Sequence, residues 1–205
     1  MADKAATPHI LAFNKWDVSG ISVTDPGLIA YINLEPRIVP KTGARYAGNR
    51  FHKSKSFIVE RLINKMMVVG HKGKKHVVSS GHNTGRANTA YDIVFDALTI
   101  IEERTKKNPI AVFIDAIETA APREEIINIE YGGARYPKAV ECAPQRRVDI
   151  VLRQMSQSAF HKAFNKKKST AQALADEILA AANGSNQSQA IQKKIDLERT
   201  ADSSR

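Results

Sequence analysis

Apolar positions recur at helical spacing over most of the chain and switch to alternation over one stretch. Ser56 can cap a helix running to Val69, with Phe57, Ile58, Leu62, Ile63, Met66 and Met67 on its apolar face and Gly70 at its end. The methionine pair reads as core filling. A second helix runs from about Arg86 to Thr105, with Tyr91, Val94, Phe95, Leu98 and Ile101 inward. Asn108-Pro109 starts a third, with Asn as cap and Pro at the first helical position. Ile110, Phe113, Ile114 and Ile117 form its stripe, and Pro122 stops it. Pro144 starts a fourth, with Val148, Val151, Leu152, Met155 and Ala159 pointing in. Ser169 and Gln172 resemble a capping box ahead of Leu174, Ile178 and Leu179, and Asn183-Gly184 closes that fifth helix. A weaker stripe at Ala190, Ile191, Ile195 and Leu197 predicts a sixth.

The exception is 126–142. Ile127, Ile129 and Tyr131 alternate with Asn128 and Glu130, the period of a half-exposed strand. After Gly132-Gly133, Tyr136, Lys138, Val140 and Cys142 share one side of a second strand. Paired glycines suit a tight hairpin turn, because both adopt positive φ without a Cβ clash. The flanking segments read as helical, so the hairpin is expected to stand off the body as an arm. Such an arm is marginal alone in water, and one that persists has a surface to lie against.

Ahead of the helices, residues 1 to about 15 read as a loosely held tail. Residues 16–40 read as short extended pieces around Asp25-Pro26-Gly27, with Pro36 and Pro40 forbidding a helix. The predicted fold is therefore mainly α: about six helices, a protruding two-stranded β-hairpin arm and an irregular N-terminal extension. The expected division is an extension over 1–40 and a helical domain over 41–205 carrying the arm at 126–142.

Charge changes the picture. The 205 residues carry a formal net charge of +10, and a strongly basic chain usually meets a polyanion. The excess is local: from Lys41 through Tyr91 eleven Lys and Arg face a single acid, Glu60. Lys41, Arg45, Arg50, Lys53 and Lys55 are interleaved with Tyr46 and Phe51, as a surface for phosphates and bases requires. The 71–84 stretch is rich in Lys and His, including Lys72, Lys74 and Lys75. His71, His76 and His82 match no zinc spacing and Cys142 is the only thiol, so a basic loop is expected there and no metal. Arg146, Arg147 and Arg153 are expected near one exposed side of the fourth helix. The first two sit in its first turn, where the dipole disfavours cations by some tenths of a kcal/mol. Bound phosphate would offset that. Lys166, Lys167 and Lys168 make a further basic link.

Other classes lack their residues. There is no Gly-x-Ser-x-Gly elbow, no His-Glu-x-x-His and no Lys-Ser/Thr ending to a phosphate loop. Asp115 and Glu118, one helical turn apart, read as solubilising acids. No enzyme activity and no cofactor are expected. No apolar run approaches bilayer length, the start has no signal-peptide core, and one cysteine fits a reducing compartment, so a cytosolic protein without a membrane partner is expected. The rival reading is an architectural DNA binder with a β-arm. Such arms carry an apolar or proline wedge at the tip. Here Gly132-Gly133 flanked by Tyr131, Arg135 and Tyr136 suits stacking and close backbone approach better.

Three blocks resemble small-subunit ribosomal protein S seven in its archaeal and eukaryotic form. They are Gly85–Leu98, then Tyr131-Gly-Gly-Ala-Arg-Tyr-Pro running on to Pro144-Gln-Arg-Arg-Val-Asp-Ile-Val-Leu-Arg, and Leu174–Asn183. With the linking helices the resemblance covers about residues 50–200, and its middle block is the most specific. The resemblance implies a bundle of about six helices with a hairpin. It implies a cytoplasmic protein that binds small-subunit rRNA directly and early, nucleates folding of the subunit head and touches neighbouring head proteins. It also implies that Tyr131, Gly132, Gly133, Arg135 and Tyr136 lie near exit-site tRNA and mRNA. By position, rRNA phosphates fall to Lys41, Arg45, Arg50, Lys53, Lys55, Arg86, Arg146, Arg147 and Arg153. Where the family has two basic residues after the glycine, this chain has Arg86 and then Ala87, and the lysines of the preceding loop are expected to supply part of that contact. The first 40 residues have no counterpart in the bacterial pattern.

Overall fold

Among the described residues, side-chain caps set three helix starts and a proline sets a fourth. In the computed structural model, which describes residues 10–68 and 83–205, six α-helices and one hairpin are found among those residues. Helix α3 (Pro109–Ala120) begins where Asn108 Oδ1 accepts the Ile110 N–H. Helix α5 (Thr170–Ala182) begins where Ser169 Oγ accepts from Gln172, and α6 (Gln189–Asp202) where Ser188 Oγ accepts from Ile191. Helix α4 (Pro144–Ala163) starts at its proline. Helix α2 (Ala87–Thr105) ends at Lys106, whose left-handed backbone turns the chain toward Asn108.

Helix α1 (Ile58–Met66) starts one residue later than a Ser56 cap predicts, and no side chain caps it. Asn33 is the reason. Its carbonyl accepts the Ile58 N–H, in a short parallel bridge between residues 33 and 57. The predicted helix end at Val69–Gly70 lies outside the described residues.

Helix α5 is the pillar. Its small residues Ala171, Ala173, Ala175 and Ala181 let α2, α3 and α4 pack around it, with Leu174 and Ile178 filling between. The core is one cluster, and residues before the first helix belong to it: Ala12, Phe13, Trp16, Val18, Leu28 and Ile32 are buried with the helices. Ala12 and Phe13 therefore correct the expectation of a loose tail to about residue 15. Tyr91 and Phe95, predicted inward, are half-buried on α2 and are covered by this segment. The Phe13 ring lies 5.2 Å from Tyr91, and Trp16 lies 5.5 Å from Phe95. Polar bonds hold the segment as well. Asn108 donates to the Asp17 carbonyl, and the Thr24 and Asp25 N–H groups donate to Glu118. Glu118, expected as a solubilising acid, is an anchor.

The arm pairs β1 (Glu124–Tyr131) with antiparallel β2 (Ala134–Glu141), in register from Glu124↔Glu141 to Tyr131↔Ala134. Gly132 (φ 58°) and Gly133 (φ 81°) form the two-residue turn, both in the left-handed region. Among the described residues only the foot is supported. Helix α6 packs against β1 there, whereas residues 127–138 are exposed.

Candidate nucleic-acid interface

The basic segment from Lys41 to Lys55 is irregular but anchored. Thr42 donates its N–H and hydroxyl to Glu60 Oε1 at 2.8 and 2.6 Å. Asn33 donates to the Lys55 carbonyl at 2.7 Å. Glu60, the one acid between Lys41 and Tyr91, is thereby turned inward and is only 4% exposed. It neutralises nothing on the surface. Lys41, Arg45, Arg50 and Lys55 are exposed, and none has a carboxylate within ion-pair reach among the described residues. Phe51 takes positive φ (56°), is half-exposed, lies 6.0 Å from the Tyr31 ring and carries the Arg50 guanidinium 5.0 Å above it. An aromatic face and a cation thus sit together on an open surface, as nucleobase stacking and phosphate binding require.

Next to this segment lies Asp149 of α4. Lys53 donates to it at 2.8 Å and Arg61 at 3.3 Å, while Arg61 also donates to the Tyr31 carbonyl at 2.9 Å. Lys65 and Arg153 stand in the same field. Burial opposes ionisation of Asp149, but the Lys53 hydrogen bond and the charges of Arg61, Lys53 and Lys65 outweigh it and hold the carboxyl below its usual range. Lys65 is pushed below the usual lysine range, first by burial and then by Lys53, Arg153 and Arg61, with Asp149 opposing. One carboxylate faces three cations, Lys53, Arg61 and Lys65, with Arg153 adding to the field at Lys65, and an anion arriving there relieves repulsion already present. Lys53, a candidate phosphate contact, is thus partly engaged by Asp149. Lys65 was missed. It sits in the polar face of an apolar helix, and its only local signal was the i,i+4 spacing from Arg61.

The arginines that open α4 separate. Arg146 stays exposed and pairs with Glu125 of β1 at 2.7 Å, which raises its pKa. Arg147 corrects the expectation of an exposed side: it is 9% exposed. It donates to the Pro122 carbonyl at 3.0 Å and to Asp25 at 2.8 Å. Four residues before Val151, it shares the helix face that points to the body. It ties α4 to the chain entering the arm and to the N-terminal segment. Arg153 is exposed with no ion pair among the described residues. Arg86 is exposed at the start of α2, as are Lys166 and Lys167 after α4. Lys168 pairs with Asp176, which also holds Arg104, so it braces α2 against α5. Lys72, Lys74, Lys75 and the histidines at 71, 76 and 82 lie outside the described residues.

The foot of the arm is ionic as well. Arg205 pairs with Glu124, and the Arg123 N–H donates to Glu198 at 3.0 Å. The Cys142 thiol is buried there and pushed up to about 11, by burial first and then by Glu125, so it is no nucleophile. Toward the tip, Tyr131 and Tyr136 are exposed and share one face with Ile127, Ile129 and Lys138. Arg135 faces Glu130 at 3.6 Å. Among the described residues no three His, Cys, Asp or Glu side chains could hold a metal ion, and no helix is long and apolar enough to cross a membrane.

Cations that make no ion pair among the described residues, on a helical body with a free-standing arm, define a basic protein suited to a polyanion. The chain belongs to the ribosomal protein S7p/S5e family, which matches residues 30–205. It is 52% identical over 193 residues to the small ribosomal subunit protein uS7 of Nanoarchaeum equitans, covering 94% of this chain and 98% of the relative. It is 50% identical over 197 residues to that of Archaeoglobus fulgidus, covering 96% of each. To that of Methanospirillum hungatei it is 40% identical over 205 residues, the full length of both.

Proposed function

We propose that the chain is a structural component of the small ribosomal subunit that binds small-subunit rRNA directly and nucleates assembly of the subunit head. The excess of cations around Asp149 and along 41–55 carries this reading. Folded RNA is recognised by phosphates, 2′-hydroxyls and stacking on unpaired bases. A body with separate cationic patches can hold several RNA segments at once. Lys41, Arg45, Arg50, Lys65 and Arg153 are the candidate contacts of these patches, with Arg86, Lys166 and Lys167 as further exposed cations. The family relationship supports the assignment, because the relatives are named as small ribosomal subunit proteins.

The purified chain is expected to prefer a transcript of the small-subunit head rRNA over tRNA and over duplex DNA at physiological salt. Equal affinity for the three in a filter-binding assay would defeat the assignment, and a preference for duplex DNA would favour an architectural DNA binder instead.

The arm has a different role in this reading. Its cations are few, and Arg135 already faces Glu130. Its exposed tyrosines suit contact with exit-site tRNA and the mRNA path. Deleting Asn128 to Lys138 is expected to change rRNA affinity less than about threefold while lowering tRNA retention at the exit site. Loss of rRNA affinity by tenfold or more on that deletion would overturn the division of labour.

A further inference from the structure

The backbone of Phe51 is left-handed (φ 56°, ψ 29°), a conformation costly for a bulky residue and better tolerated by asparagine or glycine. Local turns hold it there: the His52 N–H donates to the Asn49 carbonyl at 3.2 Å, and the Ser54 N–H to the Phe51 carbonyl at 2.9 Å. The ring gains little burial in exchange. Phe51 is 47% exposed, whereas Phe57, just ahead of α1, is 1% exposed. Its ring neighbours are Tyr31, set at 86° and 6.0 Å away, and the Arg50 guanidinium, 5.0 Å from the ring centre. Arg50 is itself exposed and makes no ion pair among the described residues, so the ring face it covers opens to solvent. Backbone strain held in place around an exposed group is the pattern of functional sites.

We propose that Phe51 is a stacking platform for one unpaired base of the bound rRNA, which takes the place over the ring that Arg50 holds in the free protein. The inference rests on the rRNA-binding reading above and deepens it. A flat guanidinium and a flat base compete for the same ring face, and a stacked base holds more firmly than an exposed cation. The displaced Arg50 then meets the phosphate beside that base. The base is unpaired, because a surface ring meets no base face inside a duplex. Every base has such a face, so the platform tolerates any sequence. Arg45 and Lys55, exposed in the same segment, favour a polyanion over an apolar protein side chain as the occupant.

The test uses the full chain and a transcript of the small-subunit head rRNA. Phe51→Asn suits the left-handed backbone and removes the ring, and Phe51→Leu keeps apolar bulk without a π face. Both are expected to bind about tenfold more weakly. The salt slope should not change, because no charge is lost. The melting midpoint of Phe51→Asn should not fall, because asparagine relieves the strain. Phe51→Trp is expected to bind within about threefold of wild type, and its added indole to lose fluorescence on binding. Trp16, the chain's own tryptophan, is buried, and the wild-type protein supplies its background. Affinities of the Asn and Leu variants within about twofold of wild type would overturn the proposal, as would an added indole whose emission RNA leaves unchanged. Weaker binding accompanied by a lowered midpoint in Phe51→Asn would make the ring a structural prop and overturn it as well. Failure of the wild-type chain to bind the transcript at all would overturn the rRNA reading beneath it.

Discussion

Replacing Glu177 with alanine is expected to lower the unfolding free energy by about 3–5 kcal/mol, in the range for breaking a buried charged network. Glu177 lies on α5 and is fully buried. Its Oε2 accepts from Ser158 at 2.7 Å and from Lys162 at 2.6 Å, both on α4. Its Oε1 accepts from Ser188 at 2.8 Å and from the Ala190 N–H at 3.2 Å, at the start of α6. One carboxylate therefore joins three helices. In the alanine variant Lys162, partly exposed, can swing into water. Ser158 and Ser188 cannot, because both are completely buried. Each stranded donor costs roughly 1–3 kcal/mol. Ser188 also caps α6, so its displacement loosens the helix that supports the arm. For a chain of this size the melting midpoint should fall by roughly 10 °C. Glutamine is the control, since hydroxyls can turn to accept as well as donate, and a loss of roughly 1–2 kcal/mol is expected. Urea melts of the three proteins check both values. An alanine variant with an unshifted midpoint would show that the network contributes nothing net.

This network also shows where sequence reading stops. Features decided within a few residues were legible. Asn108-Pro109, Ser169 with Gln172, and Pro144 each open a helix as predicted, because a cap is a local hydrogen bond or a ring constraint. Alternation around Gly132-Gly133 likewise located the arm to within two residues of its observed strands. Features decided by distant partners were not legible. Ser56 reads as a cap, but the Ile58 N–H it would accept from donates to the Asn33 carbonyl instead. Arg147 reads as a surface charge, and its carboxylate partner is 122 residues away. Phe13 and Trp16 sit in a proline-bounded stretch with no helical or strand period, so nothing local placed them against Tyr91 and Phe95. The site followed the same division. The run of uncompensated charge at 41–55 was visible, because the absence of acids is a property of sequence. The cluster around Asp149 was not, because it joins the segment before α1, α1 itself and α4.

Neutralising the four exposed and unpaired cations Lys41, Arg45, Arg50 and Arg153 to glutamine is expected to have the largest effect on function. Each phosphate contact contributes about 0.7–0.9 to the slope of log affinity against log salt, so removing four should flatten the slope by about three. At physiological salt the affinity for head rRNA should fall on the order of 10²–10³-fold. None of the four makes an ion pair among the described residues, so the melting midpoint should hardly move. Arg147→Ala provides the contrast. It removes the bonds to Pro122 and Asp25 inside the fold, so it should lower the midpoint while leaving the salt slope of the folded protein unchanged. Asp25 shows the dependence. Burial alone would raise its pKa, but the Gly27 N–H and then Arg147 hold the carboxyl below its usual range. Stability from that carboxylate is present above the ordinary aspartate pKa, about 3.9, and is lost as pH falls through the lowered folded value. Arg147→Ala should therefore lose part of its deficit relative to wild type as the pH is taken below about 4. Fluorescence-anisotropy titrations at several salt concentrations separate the two classes of arginine. A quadruple variant with an unchanged slope would show that these cations do not meet phosphate. A flattened slope for Arg147→Ala would return that residue to the binding surface from which its burial removes it.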